Sequence, residues 1–508
     1  MSHLPFAPVL LPLLAGILLL LLRHLDMRLR RLVSIAAVLG QIGLALWLTR
    51  AVAGGDILVY ALGDWVAPFG IVLVADRLAA WMLLIVSLLA LFALLQATRG
   101  IDAEGRHFHV LFQLQLFGLN GAFLTGDLFN LFVFFEVLLL ASYGLILHGG
   151  GRLRTRAGLH YVVINLAGST LFLFAVGTLY GMLGTLNMAD LAVKVAATPA
   201  ENVGLVRAAG WLLFGVFALK AALLPLYLWL PAAYAHTSAP VAALFAIMTK
   251  VGAYAILRVY TLIFGAQAGP AADLITDALL PLALATLLVG MLGVVGATHL
   301  RQQVAYLVVA SIGTLLTAFG LGSGAGIAAG LYYLPHTTFA AAALFLLADC
   351  IARQRGELAD RLDPGPVMAR HRRLGALFFL VAVAASGLPP LSGFVGKFLL
   401  LRAALEHALW GWVLAVVLVA GLLGVIALAR SGSLLFYRAG TAPVREGAAA
   451  SAPAPTWIAL APLSGLFLLG VGLTVFAGPL ADHAQAIATQ LLQPHEYVHA
   501  VLGAEARP

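Results

Sequence analysis

The sequence predicts an all-α polytopic membrane protein with about 14 transmembrane helices. Composition is the first reason: 62% of the residues are hydrophobic and only 10% are charged, against about 25% charged in a soluble domain. Arrangement is the second. The apolar residues come in blocks of roughly 20, the length a helix needs to cross about 30 Å of hydrocarbon. The third is periodicity. The blocks show no sustained alternation of apolar and polar residues, and lipid tolerates only helices or closed barrels, so the spans are helices.

The spans read 4–22, 32–50, 78–98, 107–126, 128–148, 158–182, 209–229, 238–264, 274–297, 303–321, 325–349, 374–404, 408–436 and 456–478. The first does not read as an obvious signal peptide. Its leading MSHLPF has no Lys or Arg, and RHLDMRLRR follows as a stop. The seventh holds Pro225 with Pro231 just beyond it, and the twelfth holds Pro389 and Pro390. A proline inside a span removes a helix hydrogen bond and clashes with the preceding turn, so spans seven and twelve are read as broken helices. Each carries a central lysine, at comparable places in successive blocks of five spans. That pattern predicts two inverted five-helix repeats, spans four to eight and nine to thirteen. The domain reading follows: an N-terminal three-helix segment (1–100), a first repeat (101–270), a second repeat (271–440), then a linker, last span and tail (441–508).

Charge sets the orientation. With the N-terminus outside, the outer loops hold only Arg50, Arg77, Lys194, Arg207, Arg258, Arg402 and Arg507, while 19 Lys and Arg fall on the inner side. This asymmetry predicts both termini outside the cytoplasm of a bacterial inner membrane. It also explains the net charge of +8 without nucleic acid, because the basic residues are spread over short loops. A single cysteine, Cys350, excludes an internal disulfide, a Cys-ligated iron–sulfur cluster and a CxxC redox pair. No cofactor motif or nucleotide loop is present, and none is expected. The polar stretch 351–375 is an inner loop, and 441–455 reads as a flexible linker. With no large domain outside the membrane, the chain is expected to rely on other subunits for energy or gating.

Five polar groups lie near the middle of their spans. Glu136 is in LFNLFVFFEVLLLASYGL, Lys220 in LLFGVFALKAALLPLYLWLP and Lys250 in VAALFAIMTKVGAYAILRVY. His336 is in GLYYLPHTTFAAAALFLLAD and Lys397 in SGLPPLSGFVGKFLLLRAAL. A charge at mid-membrane costs at least about 2.5–3.5 kcal/mol. Five such groups predict a shared wet interior in which they pair. A packing role competes for each alone, most of all for His336. Lysine is a poor packing residue, but away from water it exchanges its proton readily. Opposite charges about 7 Å apart attract by roughly 2.4 kcal/mol at an effective dielectric of 20. Moving Glu136 away would therefore loosen the proton on Lys220.

Four segments resemble the antiporter-like family that includes the large membrane subunits of respiratory complex I and the Mrp/Pha-type multisubunit cation/proton antiporters. They are GIVLVADRLAAWMLLI, GDLFNLFVFFEVLLLASYGLILHGG, WLPAAYAHTSAPVAALFAIMTKVGAYAILRVY and SGLPPLSGFVGKF. The likeness covers roughly 70–430, and the strongest match is to the D-type branch of the Mrp/Pha antiporters. It implies that Glu136 and Lys220 are a carboxylate–lysine pair on spans five and seven, and that Lys250 is the connecting lysine of span eight. It further implies that His336 is the central histidine of span eleven, and Lys397 the terminal base of broken span twelve. One departure stands out: family members often carry a lysine after the span-eleven histidine, where this chain has Ala340 to Ala343. The step from His336 to Lys397 then falls to water, Thr337 or Thr338.

Other polar residues are read more plainly. Asp76, Arg77 and Asp127 lie near span ends, as solvated boundaries. His236 and Thr237 follow span seven, where they line proton uptake or form a turn. His299 and Arg301 are read as loop residues. His483, His495 and His499 suit an amphipathic surface segment better than a metal tract. The leading expectation is a proton-translocating subunit of a cation/proton antiporter. It would work with neighbouring subunits, H+ and Na+ or K+ in a lipid bilayer. The rivals are a proton-pumping subunit of a quinone oxidoreductase or membrane-bound hydrogenase, and a structural scaffold within such a complex.

Overall fold

Backbone groups that meet no water must pair within their own segment, and most of this chain does so as helix. The computed structural model describes residues 3–21, 23, 24, 26–440 and 457–503. The order begins α1 (Ala7–Leu21), α2 (Met27–Ala51), β1 (Leu58–Ala61), β2 (Val72–Ala75), α3 (Arg77–Ala97), α4 (Phe108–Leu124), α5 (Leu128–Leu147) and α6 (Arg152–Leu183). Next come α7 (Met188–Ala196), α8 (Val203–Ala221), α9 (Trp229–His236), α10 (Ala239–Phe245), α11 (Met248–Leu262), α12 (Thr276–Gly296), α13 (Leu300–Gly320) and α14 (Gly324–Ala352). The order ends with α15 (His371–Ser386), α16 (Ser392–Ala404), α17 (Trp410–Gly432), α18 (Trp457–Val475), α19 (Ala477–Leu491) and α20 (Pro494–Leu502). A π-turn, Ser433–Tyr437, continues α17.

Among the described residues, 10 helical runs are long and apolar enough to cross a membrane, or 11 if Leu460–Val475 and Ala477–Leu491, bent by 82°, form one span. Helices α1 and α4 are apolar but shorter, with 15 and 17 residues. The antiparallel β1–β2 pair is a local exception to the all-α reading. The segment 441–455, expected as a flexible linker, lies outside the described residues, as do Arg445 and Arg507.

Helices α12 and α13 meet backbone to backbone. A Cβ added at Gly313 would lie 2.4 Å from Leu287 N, and one at Gly290 2.6 Å from Ala310 N. Small residues at such crossings let the backbones touch, which replaces the hydrophobic drive that lipid does not supply. Helix α14 is buried along nearly its whole length, against α13, α16, α18 and α19. Its imidazole therefore sits at the molecule's centre rather than on a lipid face.

Several end-of-span charges depart from the solvated reading. Asp76 caps α3, accepting from Ala79 N at 2.9 Å, but it is also buried in an ion pair with Arg258 Nη2 at 2.6 Å. The Arg258 guanidinium lies over the rings of Tyr254 and Tyr497, 5.7 and 5.3 Å away. Buried charges persist only when paired, and this pair ties α3, α11 and α20 together. Arg301 is no loop residue: it opens α13 and bonds Asp349 on α14 at 2.8 Å. His299 does lie just before α13. The tail histidines sit on amphipathic α19 and α20, with the His483 ring 5.3 Å from Trp81.

Outside the spans, Asp102 joins α2 to α4. It accepts from Arg31 at 2.6 and 2.8 Å and contacts His109 Nε2 at 3.1 Å. Burial alone would raise its carboxyl, but bonds from His109 and Arg31 overcome this and hold its pKa at about 2. An unfolded aspartate titrates near 3.9. The stabilisation is therefore complete above about pH 4 and is lost as the pH falls toward about 2. Asp102→Asn is expected to flatten this acid limb when thermal unfolding is followed from about pH 6 to about pH 2. An unchanged limb would assign it to other carboxylates.

Candidate functional site

The site begins where α8 stops. Ala222 takes a left-handed conformation, φ 59°, and Pro225 lies in the break before α9 resumes at Trp229. The break's polar groups find partners. Trp229 Nε1 donates to the Leu219 carbonyl at 3.1 Å, which also accepts from Ala222 N at 3.1 Å, and Leu224 N donates to Thr286 Oγ1 at 2.9 Å. Lys220 occupies the last turn of α8, where unpaired carbonyls carry the negative end of the helix dipole. Proline thus places an ammonium at a helix terminus in mid-span, where the backbone favours it.

Lys220 Nζ lies 3.2 Å from Asn165 Oδ1 and 3.5 Å from the Asn165 carbonyl oxygen. One turn along α6, the Ser169 hydroxyl contacts that carbonyl at 3.0 Å and also bonds Glu136 Oε1. Glu136 and Lys220 are within electrostatic range but form no direct ion pair. Asn165 and Ser169 bridge them. Lys220 is buried and Glu136 half-buried.

Helix α11 carries the next base. Lys250 is fully buried, and its Nζ lies 3.4 Å from Ser311 Oγ on α13. Two residues on, Gly252 presses against α8. A Cβ there would lie 2.4 Å from Ala221 N and 2.8 Å from Lys220 C. The two lysines therefore sit on helices in backbone contact, yet among the described residues no hydrogen bond joins their side chains.

Ser311 opens onto a cavity of about 30 Å³ also lined by Thr314, Tyr333, His336, Thr337 and Lys397. That space has room for water, and its hydroxyls offer hydrogen-bond partners. His336 Nδ1 lies 2.9 Å from Ser392 Oγ at the start of α16. Gly393 permits this approach, because a Cβ there would fall 2.7 Å from His336 Nε2 and 2.3 Å from Ala384 O. Half-buried Lys397 donates to the Ser386 carbonyl, at the end of α15, at 2.7 Å. Both broken helices thus place a lysine at a helix C-terminus. In one it is the helix's own last turn; in the other the lysine reaches back across the break.

The secondary candidates divide. Thr337 faces the cavity, whereas Thr338 is turned away, its Oγ1 donating to Leu334 O at 2.8 Å. Asp127 caps α5, accepting from Asn130 N at 2.8 Å. Thr237 ends α9 and is buried, with Oγ1 3.4 Å from Ile146 O. His236 is exposed beside it, and its carbonyl accepts from Arg154 Nε at 3.2 Å. Asn165, Ser169, Ser311 and Ser392 escape a reading of the sequence alone. The spacing of Asn165 and Ser169, four apart on one face of an apolar span, is the available signal for that pair.

Residues 125–424 match the family model described as NADH:quinone oxidoreductase/Mrp antiporter, TM. A protein of Rhizobium meliloti, named as the D-type subunit of a probable K(+)/H(+) antiporter, is 41% identical over 99% of this chain and 98% of its own length. The D-type subunit of a Na(+)/H(+) antiporter of Alkalihalophilus pseudofirmus is 38% identical, over 99% of this chain and all of its own. Among solved structures, a chain of the Mrp complex from a Dietzia species superposes with a TM-score of 0.86 at 30% identity, covering 99% of both chains. With more than half its length matched and its polar line threaded through the matched region, the chain belongs to the NADH:quinone oxidoreductase/Mrp antiporter transmembrane family.

Proposed function

We propose that this chain is the D-type, proton-translocating membrane component of a multisubunit Na+(K+)/H+ antiporter, a transporter part rather than an enzyme. The observation that carries the reading is the pair of broken helices that set Lys220 and Lys397 at helix C-termini inside an apolar bundle. Protons pass from Glu136 to Lys220 by the Ser169 hydroxyl and water, with the Asn165 oxygens holding the Lys220 ammonium, and from Lys250 through Ser311 and cavity water to His336 and Lys397. The step between Lys220 and Lys250 crosses the Gly252 contact, by water or by movement of the lysine side chains. Glu136 and Lys397, the ends of the line, are only half-buried, which suits continuation into neighbouring subunits.

In this reading the short helices α1 and α4, the broken α15–α16 pair and α18 complete about 14 spans. Spans four to eight and nine to thirteen form the inverted repeats, flanked by the 1–100 segment and the 441–508 tail. Both termini lie outside the cytoplasm of a bacterial inner membrane, as the basic loops favour. A proton-pumping subunit of a respiratory oxidoreductase would use the same line, but the relatives described above carry antiporter names.

The test is ion-driven proton flux in vesicles bearing the whole complex, with Na+ and K+ compared. Glu136→Ala is expected to abolish exchange while the complex still assembles. Wild-type exchange in that assembled variant would remove Glu136 from the path. Asn165→Leu deprives Lys220 of its side-chain oxygen, and loss of a bond to a charged group is expected to slow exchange about tenfold or more. Unchanged flux would reduce Asn165 to packing.

A further inference from the structure

Helices α15 and α17 enclose a groove of about 710 Å³ that the polar line does not use. Buried Phe378, Ala382, Leu428 and Phe436 are in its lining, and Phe379 and Tyr437 are exposed along it. Along α15 it runs from His371 to Ser386, about 22 Å at 1.5 Å per residue. Its length and apolar lining match an extended hydrocarbon chain.

One end of the groove is polar and basic. Arg372 is exposed there, and among the described residues no carboxylate pairs with it and none lines the groove. His371 Nδ1 is buried without a hydrogen-bond partner. Aromatic residues place this end at headgroup level. Trp410 and Trp412 are exposed at one end of α17 and Tyr437 at the other. Trp410 and Tyr437 are about 40 Å apart along the helix, the depth of a bilayer with its headgroups. Such aromatic belts mark membrane interfaces.

We propose that the groove binds an anionic phospholipid, with its phosphate at Arg372 and His371 and one acyl chain lying between α15 and α17. Basic pockets between transmembrane helices recognise anionic headgroups in this way. The chain's far end meets Ser386, whose carbonyl holds Lys397 at 2.7 Å, so the lipid abuts the broken helix of the candidate site.

The test uses the intact multisubunit complex and two photoreactive lipids with the same diazirine-bearing acyl chain, a phosphatidylglycerol and a phosphatidylcholine. Phosphatidylglycerol is expected to label α15 and α17 about five-fold more strongly, the value of one basic residue at the surface. Arg372→Gln is expected to erase that preference, and Ala376→Phe, which puts a ring into the groove lining, to abolish labelling by both lipids. Equal labelling by the two lipids in the wild-type complex would overturn the proposal. So would labelling that survives Ala376→Phe, or a disulfide from Phe379→Cys to a cysteine on a neighbouring subunit, which would show protein in the groove.

Discussion

Lys220→Ala is expected to cut cation-driven proton flux at least about a hundredfold, since a positioned proton-transfer group typically contributes about 10²–10⁴. The fold should tolerate the change. Alanine is the best helix former, and the break after α8 keeps its own partners, Trp229 on the Leu219 carbonyl and Thr286 on Leu224 N. What disappears is the ammonium beside Asn165 Oδ1, and with it the proton donor at that helix end. Lys220→Arg sharpens the test. Guanidinium keeps the charge but does not release its proton. If charge alone is needed, arginine preserves flux; if proton exchange is needed, arginine is as inactive as alanine. The measurement is collapse of an imposed proton gradient by added Na+ or K+ in vesicles, with assembly checked by co-purification of the other subunits. Near-normal flux in Lys220→Ala would remove this lysine from the path.

Much of this arrangement is legible in the sequence because membrane burial makes charge costly. Glu136, Lys220, Lys250, His336 and Lys397 stand out against apolar neighbours, and the prolines beside two of them mark where helices stop. Neutral partners carry no such signal. Ser311 and Ser392 resemble the many serines that only bond back to their own helix, and their pairing with Lys250 and His336 depends on how distant helices cross. Nor does the local sequence around Asp76 reveal that Arg258, far along the chain, meets it in a buried pair. Both lie near span ends, where water is the default, and the tail helix carrying Tyr497 is what closes over them. Thr337 and Thr338 are equivalent by sequence. Helical rotation alone sends one to the cavity and the other to its own backbone.

The same dependence on helix crossing makes Gly252→Ala the second large expected effect. The added methyl would lie 2.4 Å from Ala221 N and 2.8 Å from Lys220 C. Both are backbone atoms, so no side chain can swing aside, and α8 must retreat from α11 by about 1 Å to restore ordinary contact. A misplacement of that size at a reacting group can cost about a hundredfold in rate, whereas overpacking costs typically about 1–3 kcal/mol of stability. The variant is therefore expected to assemble, with a modestly lower unfolding temperature, and to lose most of its flux. Gly215→Ala is the control on α8 itself. A Cβ there meets nothing within 4 Å, and replacing glycine inside a helix gains up to about 1 kcal/mol. Its flux should match wild type. If Gly252→Ala also transports normally, the close approach of α8 and α11 is not needed for transport, and the proposed step from Lys220 to Lys250 across that contact fails.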